Sequence, residues 1–390
     1  MNRIDLIVVL LLGAVAADAA GAIRPVSPRE GAVVALLPDS QKHLMSLPSH
    51  AARRAELETN AFAKARWQGT EPLSFAWCCD EGEKGPWKLE LGKRSDLSDA
   101  REWYSRETNL VIDANLEVGA RYHWRVTGGR RPYEGEENPP KDVFVSPVFS
   151  FATEDLPPRW IALEGKVENV RDLGGWRGSD GRRVRQGRIF RGAALNANSV
   201  TGERAGKSRL TVNDVDYLTR TLGIRTDLDL RSAFETGTPP LSPMGPSVRL
   251  VCNSSYHYRT LFTPKGKKAM AGNFRLFCDE RNYPVFFHCS AGADRTGSLA
   301  YVLCGVLGVS RNDLELDWEA TFYPEFREMR EEAKREGREY WSGLWHFDEG
   351  FSAYGDASSS WNERIRLYLL DCGITPGEIE SFRRLMLEER

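Results

Sequence analysis

The sequence is poor in several residue types and patterns that would point elsewhere. Six histidines occur in 390 residues, and none stands at a spacing from cysteine that builds a zinc site, so no metal or other cofactor is expected. Lys and Arg (53) nearly balance Asp and Glu (55) for a net charge of −2, which excludes the broad positive field of a nucleic-acid binder while leaving room for local basic pockets. Beyond the first 22 residues no stretch approaches eighteen apolar positions, so no stable membrane span is expected in the mature chain.

Residues 1–22 carry Arg3, the apolar run Leu6 to Ala17, and the small-residue series Ala17-Asp18-Ala19, the pattern of a secretory signal peptide with a cleavage site. Its alternative is a retained N-terminal anchor. An exported protein, periplasmic or secreted, is the expectation. Seven cysteines sit awkwardly with that address, because an oxidising compartment favours disulfides. Cys78 and Cys79 are adjacent and could bridge only with strain, whereas Cys252, Cys278, Cys304 and Cys372 stand in apolar or helical contexts and read as buried thiols.

From 23 to 153 the pattern is that of strands. Leu73-Ser74-Phe75-Ala76-Trp77, Trp87-Lys88-Leu89-Glu90-Leu91, Leu110-Val111-Ile112 and Tyr122-His123-Trp124-Arg125-Val126 alternate apolar and polar side chains with a period of two. Phe149-Ser150-Phe151 closes the series before the linker 154–158, and a segment of helical composition, Pro38 to Trp67, interrupts it early. An early-strand Trp and a late Tyr-x-Trp-x-Val strand give this all-β region a loose resemblance to a fibronectin type III or immunoglobulin-like sandwich. That implies a module that binds a protein or carbohydrate, or a passive spacer; no nucleophile, base and acid stand together in it.

Residues 159–390 alternate strand and helix patterns. Ile189 to Leu195, Thr226 to Leu230, Val248 to Asn253 and Val285 to His288 read as strands; Leu210 to Leu222 and Gly297 to Gly308 read as helices. Thr211 is an N-cap with Gly223 as the stop, and Thr375-Pro376 opens an amphipathic helix over 374–387. A three-layer α/β domain with a mostly parallel central sheet follows. After a charged helical stretch over 319–338 comes the aromatic segment 340–361, which is either core packing or a lid over a pocket.

Within that domain, His288-Cys289-Ser290-Ala291-Gly292-Ala293-Asp294-Arg295-Thr296-Gly297 joins the strand ending at His288 to the following helix. Such a position supplies unpaired backbone N–H groups and a helix dipole, and Gly292 permits a path on which successive N–H groups from Ser290 to Arg295 converge on one anion. Arg295 adds a planar fork for two phosphate oxygens, and Cys289 under the phosphorus becomes the nucleophile as a thiolate. His288 orients the loop through its ring, and the Thr296 hydroxyl can donate to the sulfur when it leaves.

These ten residues resemble the signature loop of the cysteine-dependent tyrosine and dual-specificity phosphatases. Asn169-Val170-Arg171-Asp172-Leu173-Gly174-Gly175-Trp176, Gly187-Arg188-Ile189-Phe190-Arg191-Gly192 and Arg225-Thr226-Asp227-Leu228-Asp229-Leu230-Arg231-Ser232 match, in order, the bacterial tyrosine phosphatase family with Asp before the loop Arg. That family usually carries Lys where this chain has Ala293, which weakens a phosphoinositide substrate.

The resemblance implies a metal-independent phosphatase acting on a phosphorylated protein or small phosphomonoester through a phosphocysteine. A phosphatase of an inositol polyphosphate or phosphoinositide and a phosphate-binding module without turnover are the alternatives. Two carboxylates compete as general acid. The loop fixes the distance of Asp294 from the phosphate, and the resemblance singles it out; Asp229 ends a strand and could face the same pocket or serve in an ion pair. Asp172 reads as the holder of the Gly174-Gly175 turn, and Arg188 and Arg191 as solvated surface charges unless they face an anionic substrate.

Overall fold

The computed structural model describes residues 23–57, 71–79, 85–128, 144–196, 208–236, 241–254, 257–321 and 342–389. Residues 1–22, read as a signal peptide, and most of the charged stretch 319–338 lie outside them. The chain divides into two compact units that interleave in sequence: 1–32, 74–111 and 121–152 form one, and 33–73, 112–120 and 153–390 the other. The described part of the segment read as an insertion, 38–57, falls in the second of these units.

Among the described residues nine strands precede residue 154: β1 (Arg24–Ser27), β2 (Ala32–Val34), β3 (Leu73–Cys78), β4 (Trp87–Gly92), β5 (Arg101–Ser105), β6 (Asn109–Ile112), β7 (Arg121–Gly128), β8 (Phe144–Val145) and β9 (Phe149–Thr153), of which all but β2 lie wholly or mostly in the first unit. They form two sheets, ordered β1–β3–β6 and β2–β9–β7–β4–β5, with β8 added to β7. The two-residue alternation seen in the sequence is what buries one face of each strand. Phe75 of β3 meets Trp124 of β7 at 5.1 Å, and Trp77 of β3 meets Trp87 of β4 at 5.7 Å, both edge to face.

The second unit opens with α1 (Asp39–Ser46) and α2 (His50–Leu57). Its sheet contains β10 (Arg159–Trp160), β11 (Arg171–Asp172), β12 (Ile189–Gly192), β13 (Thr226–Asp229), β14 (Arg249–Cys252) and β15 (Val285–His288) in the order β10–β11–β12–β15–β13–β14. The four strands from β12 to β14 are parallel, and β10 and β11 run antiparallel at one edge. The helices are α3 (Val212–Asp216), continued by a π-helical turn to Thr221, α4 (Ala233–Thr236), α5 (Pro264–Leu276), α6 (Asp294–Val306), α7 (Arg311–Ala320), α8 (Ser342–Ser352), α9 (Trp361–Asp371) and α10 (Pro376–Met386).

Alternation along β15 separates two cores. Val285 and Phe287 join Leu299, Val302, Phe347, Tyr368 and Phe382 on the side of the larger helices, whereas Phe286 joins Phe190, Leu218 and Val248 on the other. The domain is thus an α/β sheet with apolar packing on both faces. Thr211 caps α3 in a reciprocal box with Asp214, and Thr375 does the same with Glu378 at α10. The aromatic segment lies largely in helix α8 and the core: Phe347 and Phe351 are fully buried, while Trp345 is exposed, and Tyr340 and Trp341 lie outside the described residues. Among the described residues no cysteine is paired in a disulfide; Cys78 and Cys252 are exposed rather than buried. Among the described residues no helix is long and apolar enough to cross a membrane.

Candidate active site

The parallel strands set the stage. In register, His288 at the end of β15 lies beside Gly192 of β12 and Asp229 of β13, so three strand ends share one edge and Cys289 is the first residue past it. The chain then turns through 290–293 into α6, whose first residue is Asp294. Gly292 is required there: its φ is +69°, and a Cβ would lie 2.5 Å from the Gly192 carbonyl carbon and oxygen.

The loop is held by its carbonyls. Ser290 O accepts from Ala194 N at 3.1 Å, and Gly292 O accepts from Asn169 Nδ2 at 2.9 Å and from Arg191 Nη2 at 2.8 Å. Asn169 also reaches Ala291 O at 3.3 Å. In a trans peptide the N–H points opposite to the C=O, so these bonds aim the N–H groups of Ala291, Gly292 and Ala293 the other way, ready for an anion.

Arg191 is neither solvated nor turned to a substrate. It is fully buried, donates to Asp317 Oδ2 at 2.6 Å, and shares that carboxylate with Arg171, whose Nε bonds Asp317 Oδ1 at 2.8 Å. Arg171 also bonds the Asn169 side chain, so both donors to Gly292 O belong to one network. Burial, with Arg171 alongside, brings the Arg191 guanidinium down to about 10. Arg188 lies at the surface over the Tyr283 ring at 4.7 Å. Asp172 holds the Gly174 turn, accepting from Gly174 N at 2.8 Å.

Arg295 faces the loop mouth, its fork gripped by Glu235: Nη1 to Oε2 at 2.6 Å and Nη2 to Oε1 at 2.7 Å. Glu235 also accepts from Ser290 Oγ at 2.9 Å, which ties the two ends of the loop together. The bonds from Arg295 hold the Glu235 carboxyl down at about 2, against partial desolvation. The sequence reading missed Glu235. Its signal was Ser232 three positions earlier, the Ser-x-x-Glu spacing of a capping box, of which the structure forms one half: Ser232 N and Oγ both donate to Glu235 Oε2, at 2.9 and 3.0 Å.

His288 is buried, and its Nδ1 lies 3.4 Å from Cys289 O. Its Nε2 meets Asp227 Oδ1 at 3.0 Å and its Nδ1 lies 3.9 Å from Asp229 Oδ1. Burial opposes the charged ring, yet the two carboxylates raise its pKa. Asp229 is committed elsewhere: it accepts the Arg231 backbone N–H at 2.9 Å and the Arg231 guanidinium at 2.7 Å in a buried pair. Burial would raise its pKa, but His288 and Arg231 bring it below the usual range and keep it ionised. The structure thus assigns Asp229 the ion-pair role, and its candidacy as acid falls.

Asp294 differs in both respects. Its side chain is reached by solvent, yet desolvation by surrounding protein raises its carboxyl pKa against the pull of His257, Arg295 and Arg259. Accessibility together with a raised pKa suits a proton donor. The bond expected from Thr296 to the sulfur is not formed; Thr296 Oγ1 is buried with no hydrogen-bond partner. An aromatic group adjoins the loop: Trp318 packs on Gly297, where a Cβ would lie 2.6 Å from its ring, and Tyr258 contacts Trp318 at 5.7 Å and His346 at 5.5 Å. Among the described residues no cluster of three or more His, Cys, Asp or Glu side chains is arranged to hold a metal ion.

A family model described as the tyrosine phosphatase family matches residues 161–388. The chain belongs to the tyrosine phosphatase family. A provisionally named tyrosine-protein phosphatase of Cupriavidus necator is 30% identical over 173 residues, an alignment covering 38% of this chain and 58% of the relative's length. Among solved structures, the core catalytic domain of the PP-IP phosphatase SIW14 from S. cerevisiae, in complex with citrate, is 14% identical with a TM-score of 0.22. The match covers 38% of this chain and 88% of that one, and carries no weight below. Membership of the tyrosine phosphatase family makes this a chain of the cysteine phosphatase superfamily, and the loop of 288–297 lies within the matched span.

Proposed function

We propose that this protein is an exported, metal-independent phosphatase that hydrolyses phosphomonoesters through a phosphocysteine, with phosphotyrosine in proteins as the leading substrate. The observation that carries it is the loop around Cys289, its carbonyls tied back by Asn169 and Arg191 and its Arg295 fork held in place by Glu235. The Cys289 thiolate attacks phosphorus, the bond to the leaving oxygen breaks, and Asp294 gives that oxygen its proton. Water then attacks phosphorus, the S–P bond breaks to restore the thiolate, and Asp294 takes up the water's proton. The loop N–H groups and Arg295 meet the charge on the three equatorial oxygens, the role that metal ions fill in other phosphoryl-transfer sites.

A second reading, a substrate with more than one phosphate, draws on the exposed Arg259 beside Asp294 and His257. Ala293 opposes it by adding no charge of its own. The sequence pattern of 1–22 supports export, and the strand order of the first unit is compatible with a fibronectin type III-like module that docks a protein or carbohydrate.

The test is phosphate release, with a chelator present, from a phosphotyrosine peptide, a phosphoserine peptide and inositol hexakisphosphate. Wild type should prefer the phosphotyrosine peptide, and Cys289→Ser should lose turnover by at least about 10⁴ while still binding phosphate esters. Release from inositol hexakisphosphate alone would move the reading to a polyphosphate enzyme. Wild-type binding without release would leave a phosphate-binding module.

A further inference from the structure

Three consecutive residues of α7 bind three different parts of the second unit. Asp317 holds Arg191 and Arg171 under the phosphate loop, Trp318 packs on Gly297 at the start of α6, and Glu319 turns to α2. Asp317 and Glu319 stand two positions apart, about 200° around a helix of 3.6 residues per turn, so α7 is gripped on opposite faces.

The α2 grip is a buried charge cluster. Arg53 and Glu319 are both 0% exposed. Arg53 Nε donates to Glu319 Oε2 at 2.5 Å, Nη2 to Glu319 Oε1 at 3.2 Å and Nη1 to Asn312 Oδ1 at 2.8 Å, and Nη2 lies 3.7 Å from Glu315 Oε2. Asn312, Glu315 and Glu319 form one helical stripe, so a single guanidinium spans two turns of α7. His50 Nδ1 adds a contact to Glu319 Oε1 at 2.6 Å. The helix that supplies Arg53 and His50 lies outside the span matched by the family model, which begins at residue 161.

We infer that Arg53 is a positioning residue for the phosphate loop, acting through α7. The chain of contacts is continuous: Arg53 fixes Glu319, the rigid helix fixes Asp317, Asp317 fixes Arg191, and Arg191 holds Gly292 O so that the loop N–H groups face the anion. Glu319 is held chiefly by the two bonds from the Arg53 fork, so loss of that fork leaves a buried carboxylate with His50 beside it and loosens the hold on α7. The aim of the loop then degrades before the fold is lost. The helical segment before the family domain is in this sense a working part of the phosphate site. The inference rests on the phosphatase reading for its consequence in turnover, but not for its consequence in anion binding.

The experiment measures inorganic phosphate binding by calorimetry, together with kcat and KM, on the full chain at a temperature where every variant is folded. Arg53→Met should weaken phosphate binding about tenfold and raise KM with it, since small misplacements of binding groups cost that much. Arg53→Lys keeps the charge but cannot span Asn312 and Glu319, and should weaken binding about threefold. Ile379→Val, a core trim in α10, serves as the stability control and should leave phosphate binding unchanged.

Phosphate affinity in Arg53→Met within about twofold of wild type would overturn the inference, as would an equal loss in the control at matched melting temperature. Should Arg53→Met fail to fold, Arg53→Lys and Asn312→Ala decide by the same criterion. A wild type that binds phosphate without turnover would sink the enzymatic reading alone, because the Arg53 effect is read on binding.

Discussion

Two neighbouring parallel strands, β13 and β15, leave the sheet at the same edge, and each has an Asp and an Arg at or beyond its end. Asp229 is the last residue of β13 and Arg231 stands two positions on; Asp294 and Arg295 stand six and seven positions beyond His288, the last residue of β15. By residue type the two segments are equivalent, yet their side chains are used in opposite ways. Asp229 and Arg231 close on each other, with side chains 2% and 1% exposed. Asp294 and Arg295 do not pair; one stands open with a raised pKa, and the other is held from outside by Glu235. A reactive site is marked by hydrogen-bonding capacity left unspent in reach of solvent, and a structural one by capacity spent internally.

The strongest way to break this comparison is to remove the fork. Arg295→Lys should lower kcat/KM by about 10²–10⁴, because an ammonium cannot bridge two phosphate oxygens while keeping both bonds to Glu235. Steady-state kinetics on an aryl phosphate would show it, and near-normal rates would mean that another cation grips the phosphate.

The two carboxylates are separated by a paired substitution. Asp294→Asn should cut turnover of alkyl phosphates by about 10²–10³ and that of aryl phosphates far less, since a phenolate departs without a proton. It should also abolish the decline in wild-type rate as pH rises through the raised pKa of Asp294, where the acid form disappears. Asp229→Asn should lower the melting temperature and affect both substrates equally, because Arg231 and His288 lose a charge partner and no proton donor is lost. Equal leaving-group dependence in the two variants would erase the distinction.

Much of this was legible in the sequence, for reasons tied to local signals. The strand of Val285 to His288, the helix after it and the loop between are adjacent in the chain, so period and turn chemistry placed Cys289 and Arg295 without knowledge of the rest. The caps at Thr211 and Thr375 were likewise local. What could not be read depends on contacts far apart in sequence. Arg191 resembled a surface charge because its partner, Asp317, lies 126 residues away. Glu235 is 60 residues from Arg295. The choice between Asp229 and Asp294 is a separate case, since Arg231 stands only two residues from Asp229 and the spacing alone does not say that the two side chains close on each other. The helical segment 38–67 was recognised as helical in composition, but its attachment to α7 through Arg53 spans 266 residues and leaves no local pattern.

The mildest test concerns the acid limb of stability. Glu235 is held at about 2 in the folded chain, below the 4.5 of an unperturbed glutamate, chiefly by its bonds from Arg295. A group whose folded pKa is depressed contributes stability that is complete above its unfolded pKa and disappears as pH falls toward the folded one. The Glu235 contribution is therefore present above about pH 4.5 and lost between there and pH 2. Glu235→Gln removes the titration, so its melting temperature should lie below that of wild type at pH 6 and converge on it as pH falls through this window. Asp229, shut in with Arg231, does not explain such convergence, because it is intact in both proteins. Parallel curves would show that the Arg295 fork is held in place by something other than the charge of Glu235.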